Sequence, residues 1–256
     1  MDTFDNELNI KIDVALKRIK KYEPKGGYYL AFSGGKDSTV IYDLASKAGV
    51  GFDAHFSMTT VDPNEVRFFI RDNYPRVIWE RPKKSMFQLI VDHGMLPTRK
   101  IRFCCSELKE IGGAGRIVVT GVRSAESNAR SKRGIFEQSK SKKSKWFLHP
   151  ILDWSDMDVW DYIKINNLPH CSLYDEGKKR IGCIMCPMQG TNGMLQDKKR
   201  FPLYYNAYLR AIGRMLVAAK KKGHVWRHGV TPEEVMYWWI HNADLNKTTV
   251  QQLLEG

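Results

Sequence analysis

Tyr28-Tyr29-Leu30-Ala31-Phe32-Ser33-Gly34-Gly35-Lys36-Asp37-Ser38 is the stretch on which the fold turns. Its first five residues form an apolar run of the kind that makes a buried strand. Two glycines follow, and Val40, Ile41, Leu44, Ala45 and Ala48 then recur at helical spacing until Gly49. A strand that turns through bare glycines into a helix presents backbone N–H groups and a helix N-terminus to an anion, an arrangement that binds phosphate. The spacing is neither G-x-x-x-x-G-K-[ST] nor G-x-G-x-x-G. A chance S-G-G-x-D-S is expected on the order of once in a million positions.

Outward from this stretch, strands and helices alternate. Apolar runs at 54–59, 77–80 and 116–121 read as strands, and 64–73 and 85–93 read as helices. Leu8, Ile12, Leu16 and Ile19 give an opening amphipathic helix that ends at Pro24-Lys25-Gly26-Gly27. The pattern predicts an α/β fold with a doubly wound, mainly parallel sheet. Ligands of such sheets bind beyond the carboxyl ends of the strands, so Ser33–Ser38, Thr60–Asp62 and Gly121–Arg123 are expected to face one crevice. Ser155-Asp156-Met157-Asp158 is a capping box that opens a further helix, and Trp154 and Trp160 read as packing residues. Beyond Pro187 the chain changes character. Phe201, Tyr204, Tyr208, Ile212, Met215 and Ala219 form the apolar face of a basic helix, Thr231-Pro232-Glu233-Glu234 caps another, and 248–254 suggests a last short one. The expected division is a nucleotide-binding domain at 1–187 and a helical C-terminal extension at 188–256.

The length of 256 residues suits one sizeable core, or a core domain with a small appendage. No apolar run reaches the roughly 20 residues needed to span a bilayer, and 1–9 is acidic, so a cytoplasmic protein without membrane attachment is expected. A net charge of +13 favours polyanionic partners, whether nucleotides or nucleic acid. Part of the excess is local: 123–145 holds eight Arg or Lys against two Glu, which suits either a solvated loop or a lid over phosphates. Five cysteines, two adjacent and two in a C-x-x-C, do not form a secreted disulfide framework.

Several ordered motifs then carry a resemblance. Ser33–Ser38, Arg102-Phe103-Cys104-Cys105 with Leu108-Lys109, Gly121-Val122-Arg123 with Glu126-Ser127 and Arg130, Pro150-Ile151 with Trp154, Leu173-Tyr174, and Gly182-Cys183 with Cys186-Pro187 occur in this order. Together they resemble the PP-loop ATP pyrophosphatases and, among them, the phosphoadenosine phosphosulfate (PAPS) reductase family. In motif content the chain is most similar to iron-sulfur members with an intact loop, such as the DNA phosphorothioation ATP pyrophosphatases. The resemblance implies an adenine nucleotide alpha hydrolase-like fold. It also implies cleavage of ATP to AMP and pyrophosphate.

On the residues themselves, Lys36 is placed to neutralise phosphate charge, with Ser33, Ser38 and the backbone of Gly34 and Gly35 donating hydrogen bonds. Asp37 and Asp62 are candidate Mg²⁺ contacts, although Asp37 equally suits a helix cap and Asp62 sits in Thr60-Val61-Asp62-Pro63, a departure from the Asp-Thr-Gly type motif that related proteins often carry there. Arg123 and Arg130, which match the family's G-x-R and the Arg that follows it, are by that resemblance candidate guanidinium forks, and Thr60 and Gly121 complete the nucleotide set. The candidate catalytic residues are Lys36, Asp37, Ser38, Asp62 and Arg123. Thiolates at Cys104, Cys105, Cys183 and Cys186 suit an iron-sulfur cluster or Zn²⁺, or stay unligated, and the resemblance implies a [4Fe-4S] cluster. Cys171 is left over and reads as a small buried side chain.

An intact loop, with no cysteine after Cys186, favours ATP cleavage and adenylation of an acceptor for sulfur transfer. The sulfur donor would be a cysteine desulfurase or thioredoxin, the acceptor might include nucleic acid, and a homodimer is compatible with the resemblance. Two alternatives stay open. One is a reductase of adenylyl sulfate or PAPS that uses a partner thiol or Cys171. The other is a nucleic-acid-binding protein with a regulatory nucleotide site.

Overall fold

The computed structural model describes residues 3–139 and 144–242. The expected short helix at 248–254 and part of the Ser/Lys-rich run lie outside the described residues. The chain forms two compact units. The first takes residues up to Ser57, Asn64–Arg81 and Ile111–Ile181, and the second takes Met58–Pro63, Pro82–Glu110 and the chain from Gly182 onward. The contacts therefore group the chain differently from a linear division at 187 and 188. Two inserts from the first half of the sequence join the C-terminal helices.

In the first unit six strands form one sheet in the order β3-β2-β1-β4-β6-β5. The strands are β1 Tyr28–Ala31, β2 Phe52–Ser57, β3 Ile78–Glu80, β4 Ile117–Val119, β5 Phe136–Gln138 and β6 Trp146–Leu148. All pairings are parallel except β5 with β6. The expected doubly wound, mainly parallel sheet is what the chain forms. β5 and β6 were not anticipated in the sequence: β5 lies inside the basic segment 123–145 that reads as a loop, and β6 begins just after it.

Helices α1 Thr3–Lys21, α2 Lys36–Ala48 and α6 Asp156–Ile165 pack together, and α3 Asn64–Asn73 and the short α5 Asn128–Ser131 complete the unit. Leu30, Val40, Ile41, Leu44 and Ile70 are fully buried, as the apolar spacing predicts. Gly34 adopts φ +72°, and a Cβ there would press on the side chains of Val66 and Ile70. Glycine is thus needed at the turn for backbone freedom and for packing.

The second unit is helical. Its elements are α4 Met86–His93, a π-helical turn at Cys105–Lys109, α7 Gly190–Arg200, α8 Pro202–Lys221 and α9 Pro232–His241. α8 packs on α4, α7 and α9 around Leu89, Ile90, Leu96, Tyr208, Ile212, Met215 and Trp239. Ser85 and Thr231 cap α4 and α9 with reciprocal capping boxes, satisfying N–H groups that would otherwise lack partners. Among the described residues no helix is long and apolar enough to cross a membrane.

Candidate functional site

The chain runs from β1 to β2 and β3 on one side, then crosses to β4 on the other side of β1. The carboxyl ends of β1 and β4 therefore flank a topological switch point, where open parallel sheets bind ligands. Ser33–Ser38 follow β1 there, and Gly121–Arg123 follow β4. Gly121 is required by proximity, since a Cβ on it would meet the backbone carbonyl carbon of Asp37 at 2.8 Å.

The loop is tied down from within. Ser38 Oγ donates to the Gly35 carbonyl at 2.7 Å, Ser33 Oγ donates to Ser38 Oγ at 3.2 Å, and Gly35 N–H donates to Ser33 Oγ at 3.4 Å. Unlike α4, α6 and α9, helix α2 has no side-chain cap at its N-cap residue, Gly35. The Lys36 N–H instead donates to the hydroxyl of Tyr174 at 2.9 Å. The Lys36 ammonium lies 5.7 Å from the centre of the Tyr174 ring. Burial pushes the Tyr174 phenol pKa up, so this hydroxyl stays protonated.

Two cations and two carboxylates meet beside the loop. Lys36 Nζ lies 3.0 Å from Asp156 Oδ1 and 3.8 Å from Asp37 Oδ2. Arg123 Nε donates to Asp37 Oδ1 at 2.6 Å and its Nη2 donates to Asp156 Oδ1 at 2.9 Å. The Lys36 and Arg123 side chains are 5% and 3% exposed, whereas that of Asp156 is 65% exposed. Burial works to lower the Arg123 pKa, but Asp37, Glu126 and Asp156 outweigh it and the guanidinium stays charged. Burial likewise works to raise the Asp156 pKa, and Lys36 and then Arg123 hold it below the usual carboxylate range. Asp156 read only as the start of a helix in the sequence, and its ion pairing across elements carries no sequence signal. Arg130 pairs with Glu126, whose carboxylate also accepts from the Arg123 N–H.

A second polar row follows β4 and β6. Thr120 Oγ1 and His149 Nδ1 are 2.7 Å apart, and His149 Nε2 lies 3.6 Å from Glu137 Oε1. His149 is 1% exposed, and burial draws its pKa down to about 4, so it is neutral near pH 7. Nothing in the sequence singled it out.

Thr60, Asp62 and the four paired cysteines fall in the second unit. Asp62 Oδ1 and Oδ2 accept from the Thr59 hydroxyl and N–H at 2.7 and 2.6 Å, and the Thr60 hydroxyl accepts from the Met86 N–H at 3.0 Å. Asp62 thus folds its own turn, in which Thr60 takes φ 65°.

Around this turn the cysteines are close enough to influence one another's ionisation. A hydrogen bond from the Cys104 thiol, then Arg102, draws the Cys105 pKa down to about 5, while that bond and burial push Cys104 up. Arg102 Nη2 donates to Cys105 Sγ at 3.1 Å. Cys183 Sγ donates to Thr59 Oγ1 at 3.4 Å, and the sulfur of Cys183 with the carboxylate of Asp62 pushes the Lys109 pKa up. Four thiols with two neighbouring cations suit a thiolate-ligated centre by donor chemistry. Among the described residues, however, no group of three or more His, Cys, Asp or Glu side chains is arranged to hold a metal ion. His224 and His228, four residues apart, lie in the loop after α8 and not on one helix face.

The family model for the phosphoadenosine phosphosulfate reductase domain matches residues 27–189, well over half the chain. The chain belongs to this family. Among its relatives, an uncharacterised protein of Methanocaldococcus jannaschii is 31% identical over 194 residues, which is 72% of this chain and 47% of that protein. The chain covers 38% of a second uncharacterised protein from the same organism, so it spans less than half the length of the first curated relatives it matches. The adenosine 5'-phosphosulfate reductase of Oceanobacillus iheyensis is 31% identical over 170 residues, 62% of this chain and 70% of that one. Among solved structures, the FMN adenylyltransferase of Candida glabrata in complex with FMN and the ATP analog AMPCPP superposes with a TM-score of 0.53 at 14% identity, covering 72% of this chain and 66% of that one. At that identity the likeness is one of fold. PAPS reductase-family membership accords with the mainly parallel sheet and with the Ser33–Ser38 loop at the β1–β4 switch point.

Proposed function

We propose that this PAPS reductase-family chain cleaves ATP to AMP and pyrophosphate, adenylating an acceptor oxygen that is then replaced by sulfur. The observation that carries the reading is the intact Ser33–Ser38 loop, with Lys36 and Arg123 converging beside it. The loop's N–H groups, Lys36 and Arg123 would hold the pyrophosphate leaving group and offset the charge that develops on it. Ser33, Ser38, Gly34, Gly35 and Gly121 shape that cradle, and Arg130 stands one ion pair away through Glu126. Mg²⁺ would join through Asp37 and supply charge neutralisation on the phosphates. Asp62 and Thr60 are assigned to the cysteine-bearing turn, on the strength of their hydrogen bonds there.

Cys104, Cys105, Cys183 and Cys186 would hold the [4Fe-4S] cluster of this reading. When bound, such a cluster serves sulfur handling or structure. Arg102 and Lys109 would offset its negative charge. All five cysteines are free thiols, in keeping with a reducing cytoplasmic setting.

A second reading, reduction of a sulfonucleotide, is favoured by the likeness to an adenosine 5'-phosphosulfate reductase. It needs a nucleophilic thiol. Cys171 is 0% exposed and burial pushes its pKa up, which makes it a poor one, so on this reading the thiol would come from elsewhere, such as a thioredoxin-like partner. The test is anaerobic purification followed by incubation with Mg-ATP across a panel of acceptors that includes nucleic acid. Equimolar AMP and pyrophosphate support ATP cleavage. Release of sulfite from a labelled sulfonucleotide, with no pyrophosphate from ATP, would replace it.

A further inference from the structure

Asp156 is the one member of the charge quartet that belongs neither to the Ser33–Ser38 loop nor to the Gly121–Arg123 segment after β4. Lys36 and Arg123 carry two positive charges and Asp37 and Asp156 carry two negative ones, so the set is neutral as it stands. Both cations are buried, and buried charges persist only when paired. A bare polyanion that approaches them must either break the four ion pairs among these groups or lie against two carboxylates. A nucleotide chelated to a divalent cation meets neither obstacle. Its phosphates take Lys36 and Arg123, while its cation gives the carboxylates a new positive partner.

The two carboxylates differ in their freedom to respond. Asp37 belongs to the loop and is held at 2.6 Å by Arg123. Asp156 is the first residue of α6, on a separate element, and most of its side chain is exposed. It can turn from the cations toward an arriving dication without moving the loop.

We infer that Asp156 is a specificity-determining residue that admits metal-chelated nucleoside triphosphate and disfavours metal-free nucleotides, the sulfonucleotides included. The inference rests on the ATP reading for its choice of ligand. It assigns to this chain a discrimination that the intact loop alone does not make, because a loop of N–H groups accepts phosphate with or without a metal.

The test is equilibrium binding to the full chain, so that turnover is not needed. ATP is titrated with Mg²⁺ and with EDTA, and adenosine 5'-phosphosulfate with EDTA, into wild type, Asp156→Asn, Asp156→Glu and Asp72→Asn. Asp72 is an exposed α3 residue paired with its neighbour Arg71, and its variant controls for net charge. Wild type is expected to prefer Mg-ATP over metal-free ATP. Asp156→Asn is expected to tighten metal-free ATP and adenosine 5'-phosphosulfate about tenfold, as loss of a charge-assisted pair allows. Asp156→Glu and Asp72→Asn should keep the wild-type ratio. An unchanged ratio in Asp156→Asn, or weaker binding of the metal-free ligands, overturns the inference. Failure to release pyrophosphate with any acceptor would sink the ATP-cleavage reading and leave this binding ratio standing, whereas absence of all nucleotide binding would overturn both.

Discussion

The loop crevice of the first unit and the thiol cluster of the second are finished to different degrees. In the crevice every charged group has its opposite: Lys36 and Arg123 meet Asp37 and Asp156, and Arg130 meets Glu126. In the cluster the sulfurs shift one another's ionisation, and among the described residues no group of three or more His, Cys, Asp or Glu is arranged to hold a metal ion. The difference follows from chemistry. A phosphate cradle is made of backbone and permanently charged groups, which fold into place with local partners. On the proposed reading the four cysteines would be thiolate ligands, whose mutual repulsion only a bound metal offsets.

That contrast breaks first at Lys36. Lys36→Ala removes an ammonium at the loop and is expected to lower pyrophosphate release about 100- to 1,000-fold, the range for losing one group that stabilises developing charge. Iron content should be unaffected. If both fall together, the two regions do not act as separate sites. The converse variant is Cys183→Ser. Wild-type protein purified without oxygen should carry about four iron atoms per chain, and this variant few or none. Cys171→Ser should retain them, because Cys171 belongs to the first unit. Zinc in place of iron would reassign the centre.

Stability against pH separates the regions next. His149 is buried near the carboxyl ends of β4 and β6, with a pKa of about 4 in place of an unfolded value near 6.5. Its native state therefore favours the neutral ring. The unfolded chain takes up the proton first as pH falls, so stability is intact above about pH 6.5 and is lost progressively toward pH 4. The full loss is about 3 kcal/mol. Urea denaturation at pH 7 and pH 4.5 should show it, and His149→Gln should flatten that part of the slope. An equal slope in the variant would assign the acid sensitivity to other groups.

Gly121→Ala asks how tightly the crevice is closed. A new methyl 2.8 Å from the Asp37 backbone forces a shift, at an expected cost of about 1–3 kcal/mol in stability and a raised KM for Mg-ATP. Unchanged stability would mean that β4 and α2 separate freely.

The crevice was more legible in the sequence than the cluster, and for the same physical reason. Ser33–Ser38, Gly121 and Arg123 are local motifs after strands, where spacing alone predicts geometry. Parallel strands β1 and β4 then bring them together. Asp156 and His149 were illegible because ion pairing and burial across elements leave no periodic trace. Asp62 was read as a candidate Mg²⁺ contact in a segment that departs from the family's Asp-Thr-Gly type motif, and in the structure both its oxygens accept from Thr59 within one turn. The grouping of 82–110 with the C-terminal helices arises from packing of α4 on α8, and no linear reading reveals it.

The smallest effect tests whether the crevice depends on how its helices start. Both units use serine capping boxes: Ser85 Oγ accepts from the Gln88 N–H at 3.2 Å in α4, and Ser155 Oγ accepts from the Asp158 N–H at 3.1 Å in α6. Replacing either serine by alanine leaves one N–H without its partner and should cost about 1 kcal/mol by denaturation. The two variants should then part company in kinetics. Ser155 fixes the entry to α6 one residue before Asp156, so Ser155→Ala should also change the preference for Mg-ATP over metal-free ATP. Ser85→Ala, in the unit that holds the thiols, should lose the same stability and leave that preference alone. Equal kinetic effects from both would show that Asp156 responds to overall stability and not to the local start of its helix, and the contrast between the two regions would then rest on Lys36 and the cysteines alone.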